Sequence, residues 1–151
     1  MSKNKKTNSN EQFEIYKFEK SKVLFLPFID DVHISAGFPS PADDYSEKKL
    51  DLNEYLIKHP EATFFIRVKG NSMVNAGIHS ADILIVDRAL TPQNNNIIIA
   101  ILDGEFLVKR IKIIDDEIYL MPENDDYEPI KINKNMDFEI WGVVTYVIHK
   151  V

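Results

Sequence analysis

Two polar residues of this 151-residue chain stand where chemistry is open to them. Ser72 lies in Gly70-Asn71-Ser72-Met73, a turn-like break after the apolar stretch Thr63 to Lys69, and Lys109 lies inside the apolar run Phe106-Leu107-Val108-Lys109-Arg110-Ile111. Side chains alternate faces along a strand, so Lys109 shares its face with Leu107 and Ile111, while Arg110 shares the other with Phe106 and Val108. An amine among apolar neighbours is desolvated, which disfavours its charged form and lowers its pKa by up to several units from about 10.4. The neutral amine accepts a proton near neutral pH and is able to activate a serine hydroxyl, the serine–lysine form of nucleophile generation. Gly70 permits a sharp turn, and the backbone N–H groups around Ser72, with Asn71 and Met73 flanking it, are the natural donors to an oxyanion. On residue types alone the plainer readings stay open. Gly-Asn-Ser is a common turn tripeptide, and a lysine is able to snorkel from an edge strand.

Other chemistries find less support. Four histidines, His33, His59, His79 and His149, show no i, i+4 pairing and no His-Glu motif, and Cys is 0, so no metal site is expected. There is no Gly-x-x-x-x-Gly-Lys and no Gly-x-Gly-x-x-Gly, and a chain with 5 glycines offers little for cradling phosphate; no cofactor is expected. A Gly-x-Ser-x-Gly elbow is also missing. No apolar run approaches the roughly 20 residues a membrane span requires, and the N-terminus lacks the hydrophobic stretch of a secretory signal, so the chain reads as cytosolic with no membrane partner. With 44% hydrophobic and 28% charged residues it has the means to bury one core. The net charge of −6 supplies no overall positive field, which argues against direct DNA binding.

The elements that must position Ser72 and Lys109 are mostly strands. Thr63 to Lys69, Ile83 to Val86, Ile97 to Leu102, Phe106 to Ile111, Ile118 to Met121 and Phe138 to Ile148 are rich in β-branched and aromatic residues. Turn residues separate them: Gly70-Asn71-Ser72, Thr91-Pro92 with Asn94-Asn95-Asn96, and Asp115-Asp116. Asp103-Gly104 between two apolar runs predicts a hairpin with a type I′ turn. One short helix is predicted where Leu52, Tyr55 and Leu56 fall at i, i+3 and i+4, with Asp51 as N-cap and Pro60 closing it. The expected fold class is mainly β: compact, mostly antiparallel, with one short helix and an extended N-terminal arm. Met1 to Asn10 carries no large apolar side chain beyond Met1 and reads as a flexible tail. Ser35-Ala36-Gly37-Phe38-Pro39-Ser40-Pro41 is held extended by its prolines, an exposed strap.

These residues, in order, closely resemble the LexA/UmuD family of self-cleaving serine–lysine peptidases. The run Ala36 to Ala42, then Asp51-Leu52-Asn53, His59-Pro60, Gly70-Asn71-Ser72-Met73, Ile83 to Asp87, and Asp103 to Phe106 with Val108-Lys109 carry the likeness, from roughly Phe25 to Val147. By this resemblance Ser72 is the nucleophile and Lys109 the general base, 37 positions apart. The bond cut is Ala36–Gly37 in the chain's own arm, dividing it into a removed arm, 1–36, and a peptidase-like β domain, 37–151. The chain departs from the pattern in its added tail to about Gln12, in an Ala-Gly bond of the LexA type, and in the loop Gln93 to Asn96, which lacks a Gly-Asp pair. Asn tolerates left-handed angles, so the same turn is expected there.

The resemblance further implies a role in the SOS DNA-damage response. A RecA filament on single-stranded DNA stimulates cleavage, and the trimmed homodimer serves an UmuC-type error-prone translesion polymerase. No pair of amphipathic helical stretches precedes the core, so a helix-turn-helix repressor is disfavoured and no sequence-specific DNA binding is expected. The alternative is a non-proteolytic polymerase-interaction module with a vestigial dyad. A signal-peptidase-like enzyme would require an anchor that the sequence lacks.

Overall fold

The computed structural model describes residues 14–17, 23–28 and 49–151. They fall into two units, one of residues 14–17 with 61–151 and one of residues 23–28 with 49–60. In the smaller unit, β2 (Leu26–Pro27) pairs antiparallel with β3 (Lys49–Leu50), followed by α1 (Leu52–Leu56). Asp51 caps that helix as its sequence implies: its carboxylate accepts the Asn53 N–H at 3.0 Å. The helix ends at Leu56, a few residues before Pro60.

The larger unit is an eight-stranded antiparallel sheet. Its strands are β1 (Glu14–Lys17), β4 (Thr63–Arg67), β5 (Ile83–Asp87), β6 (Ile97–Leu102), β7 (Glu105–Ile114), β8 (Glu117–Met121), β9 (Ile130–Lys131) and β10 (Phe138–Ile148). Their order across the sheet is β1-β4-β5-β10-β6-β7-β8-β9. The chain is therefore mainly antiparallel β, of the class its strand and turn signals imply. β6 and β10 occupy the residues expected of them, and β7 runs three residues further, to Ile114.

Turn chemistry fixes the hairpins. Asp103 and Gly104 both take positive φ, 49° and 83°, and join Leu102 directly to Glu105 across the β6–β7 ladder. Asp115 and Asp116 do the same between β7 and β8, with φ of 50° and 64°. Asn95 adopts φ 73°, the left-handed turn expected where glycine is lacking.

The period-2 alternation of the strands divides their apolar residues between two clusters. Ile66, Leu84, Val86, Ile99 and Val108 belong to one, with Met73 and Ile78 from the loop after β4. Ile98, Ala100, Ile111, Leu120 and Val143 form the other. Each fully buried aliphatic side chain contributes about 1.5–3 kcal/mol. Lys109 stands opposite Ile98 in the β6–β7 register, so its strand face is the apolar one its neighbours predict.

Two strands of the larger sheet, like the short β2 and β3 of the smaller unit, had no clear signal. β1, with mixed sequence Glu-Ile-Tyr-Lys, pairs at the sheet edge, setting Ile15 opposite Ile66. β9 is a ladder of two residues. The tail to Asn10, the strap, and the Ala36–Gly37 bond lie outside the described residues.

β10 threads between β5 and β6, and at Gly142 it packs tightly against β5. A Cβ there would stand 2.6 Å from Val86 Cγ1 and 3.3 Å from Arg88 Cγ. Val86 is fully buried and has no room to retreat. Gly142→Ala is expected to lower the unfolding free energy by about 1–3 kcal/mol, read as an earlier midpoint in urea denaturation.

Candidate active site

Pairing of β4 with the start of β5 continues beyond the strand ends. Val68 N–H donates to the Asp82 carbonyl at 2.9 Å, and Ala81 N–H donates back to the Val68 carbonyl at 2.8 Å. Asp82 is buried and anchors this corner: one carboxylate oxygen accepts the His79 N–H at 2.8 Å, and the other lies 2.6 Å from His149 Nδ1. His149, just past β10, thereby ties the end of that strand to the corner.

From that corner the chain leaves the sheet. Gly70, at φ 109°, reverses it in a conformation that disfavours a side chain. Asn71 lies exposed, whereas Ser72 and Met73 are turned inward at 4% and 2% exposure. A single 3-10 turn, Val74–Ala76, follows and ends on Gly77 at φ 78°.

Lys109 comes to this turn from the middle of β7. The residue is 5% exposed, and its amine donates to Ser72 Oγ at 2.9 Å. The two residues singled out by their chemistry are therefore in direct hydrogen-bond contact, 37 positions apart in sequence. A pocket lies beside Ser72, lined by Val68, Gly70, Met73, Ile78 and Val108, with room for about one water-sized group.

A third segment braces the turn and gave no usable signal in the sequence. After β8, Glu123 N–H donates to the Ser72 carbonyl at 2.8 Å, and the Glu123 carbonyl accepts the Asn75 N–H at 2.8 Å. The Asn124 amide donates to the Asn71 carbonyl at 2.8 Å. Arg110, next to Lys109, forms an ion pair through Nε with Glu123 and donates to the Asn95 carbonyl at 2.7 Å. The Tyr127 ring centroid lies 5.7 Å from Lys109 Nζ. Pro122-Glu123-Asn124 looks like any loop after a strand, because half of what it does runs through its backbone.

The sequence profile of the Peptidase S24-like family matches residues 27–145, a span that contains both Ser72 and Lys109. The chain belongs to the Peptidase S24-like family. Among S24-like relatives, Protein MucA of Salmonella typhimurium is 46% identical over 127 residues, covering 83% of this chain and 86% of MucA. Protein ImpA of Escherichia coli is 50% identical over 115 residues, 76% of this chain and 78% of ImpA. LexA repressor of Glaesserella parasuis serovar 5 is 37% identical over 124 residues, 82% of this chain and 58% of the repressor. Among the described residues of this S24-like chain, no helix is long and apolar enough to cross a membrane.

Keeping an amine at this depth has a cost for the fold. Its hydration is lost and is replaced only by fixed protein partners. Lys109→Met keeps length and volume without the amine, and is expected to raise the unfolding free energy by about 1 kcal/mol in urea denaturation. A loss of similar size would mean that the amine serves the fold rather than a reaction.

Proposed function

We propose that the chain is a serine endopeptidase that cuts its own Ala36–Gly37 bond, with Ser72 as nucleophile and Lys109 as general base. The observation that carries this reading is the buried contact of 2.9 Å between Lys109 Nζ and Ser72 Oγ. At that distance the neutral amine takes the hydroxyl proton as Oγ attacks the Ala36 carbonyl carbon. The oxyanion is met by backbone N–H groups of the Gly70–Met73 turn. Collapse breaks the C–N bond, and the Lys109 ammonium returns its proton to the leaving Gly37 amine. An ester between Ala36 and Ser72 remains. Water, deprotonated in turn by Lys109, hydrolyses it to the Ala36 carboxylate and restores the serine.

The pocket beside Ser72 suits this bond. Room for about one water-sized group accepts the methyl of Ala36 and excludes a longer side chain. The extended strap that the prolines predict for Ser35 to Pro41 is the kind of segment able to lie across the site, and Gly37 would give the close approach.

On this reading the chain divides into an arm, 1–36, and a product, 37–151, of 115 residues. The arm carries six lysines against five acidic residues, so a net of −6 becomes −7 in the product. An acidic homodimer of this kind is suited to docking on proteins that hold DNA rather than on DNA itself. The partners proposed are a RecA filament on single-stranded DNA, which promotes the cut, and an UmuC-type translesion polymerase, which receives the product in the cytoplasm during the SOS response. What supports them is the similarity to MucA, ImpA and LexA repressor. The vestigial-module alternative is weakened by an intact serine–lysine contact.

Incubation with RecA, single-stranded DNA and a nucleotide, or alone at alkaline pH, followed by mass spectrometry, tests this proposal. The base works as the neutral amine, so the rate of cutting should rise about tenfold per pH unit below the lysine pKa and level off above it. Ser72→Ala and Lys109→Ala should abolish the cut, and Ala36→Leu should slow it at least about tenfold. No Ala36–Gly37 cut under either condition, or cutting by either alanine variant, would overturn the assignment.

A further inference from the structure

The turn from Glu123 to Tyr127 touches both members of the Ser72–Lys109 pair, and its two contacts are of different kinds. Toward Ser72 it is a hydrogen-bonded clasp. Asn124 Nδ2 donates to the Asn71 carbonyl at 2.8 Å, and the adjacent Glu123 N–H donates to the Ser72 carbonyl at 2.8 Å. Toward Lys109 it is an aromatic face, the Tyr127 ring at 5.7 Å from Nζ. The turn is stiffened from within: Asn124 Oδ1 accepts the Asp126 N–H at 3.0 Å, and the Asn124 carbonyl accepts the Tyr127 N–H at 3.1 Å. One short segment thereby sets the distance from the serine turn to the aromatic ring.

We propose that Asn124 and Tyr127 are positioning residues for the proposed Ser72–Lys109 dyad, Asn124 holding the serine turn and Tyr127 facing the lysine ammonium. The inference rests on the self-cleavage reading and adds two residues to it. A ring face attracts a cation, so Tyr127 stabilises the ammonium that forms as Lys109 takes the serine proton. Ile98, across on β6, is uncharged, and Glu123 on the same turn is engaged with Arg110, the chain neighbour of Lys109. Asn124 acts at one remove. Without its amide, the Asn71 carbonyl loses a partner outside its own turn, and the serine is held less closely to the geometry of attack.

Two readouts separate this from ordinary loop stability. The first is the titration midpoint of the Lys109 side chain, followed by carbon-13 NMR of lysine-labelled protein, which needs no cleavage. Tyr127→Leu should lower that midpoint by about half a pH unit, the low end for a partly exposed ring, and Tyr127→Phe should leave it in place. The second is the plateau rate of self-cleavage at alkaline pH. Asn124→Ser keeps a side-chain oxygen for the Asp126 N–H but is too short to reach Asn71, and should lower the plateau about tenfold with the Lys109 midpoint and the thermal midpoint unchanged. An unmoved Lys109 midpoint in Tyr127→Leu overturns the role of Tyr127. A wild-type plateau in Asn124→Ser, or a lowered plateau matched by a lowered thermal midpoint, overturns the role of Asn124. Failure of the unaltered chain to cut itself would instead count against the self-cleavage reading, with the Tyr127 readout still decided by NMR.

Discussion

The structure depends on a lysine amine kept out of water. Lys109 lies in the middle of β7, 5% exposed, opposite Ile98 and within hydrogen-bond reach of the Ser72 hydroxyl. Burial makes a charged amine costly, and that is the direction of bias the proposed general base would require. The surrounding fold maintains the bias: β6 and β8 flank β7, the corner at Asp82 fixes where the serine turn departs, and the segment after β8 closes the turn from the far side.

The geometry requires both rigidity and one strained reversal. Antiparallel ladders hold Lys109 to a fixed register, while Gly70 at φ 109° and Gly77 at φ 78° allow a short excursion that brings Ser72 inward without carrying the strand along. A site formed by one strand residue and one turn residue is placed by two independent sets of hydrogen bonds. The tightness of the pocket beside Ser72 follows from the same packing, since Val68, Ile78 and Val108 serve both as its walls and as members of the hydrophobic core.

Much of this was legible because local chemistry and global fold agree. Asp103-Gly104 specified a hairpin that Leu102 and Glu105 close directly, and the apolar runs of β6 and β10 mark the strands at their true limits. Ser72 and Lys109 stand out by type, but a turn hydroxyl and a snorkelling lysine read equally well there, and it is the family resemblance that pairs them. What escaped was held by groups that leave no mark in sequence. Glu123 reaches the Ser72 carbonyl through its N–H, which almost any residue would offer, and Asn124 is one of many loop asparagines until the fold sets it against Asn71. β1 is a short edge strand whose pairing with β4 is decided by tertiary context rather than by its own pattern, and β9 is too brief to show one.

On the reading proposed here, Lys109, as a neutral amine, makes Ser72 a nucleophile. Treating the protein with a fluorophosphonate across a range of pH, and mapping the adduct by peptide mass spectrometry, tests this without reference to the arm or to any partner. A single adduct on Ser72 is expected, its rate of formation rising with pH and lost in Lys109→Ala. An unmodified Ser72, or labelling at equal rate without the lysine, would contradict it.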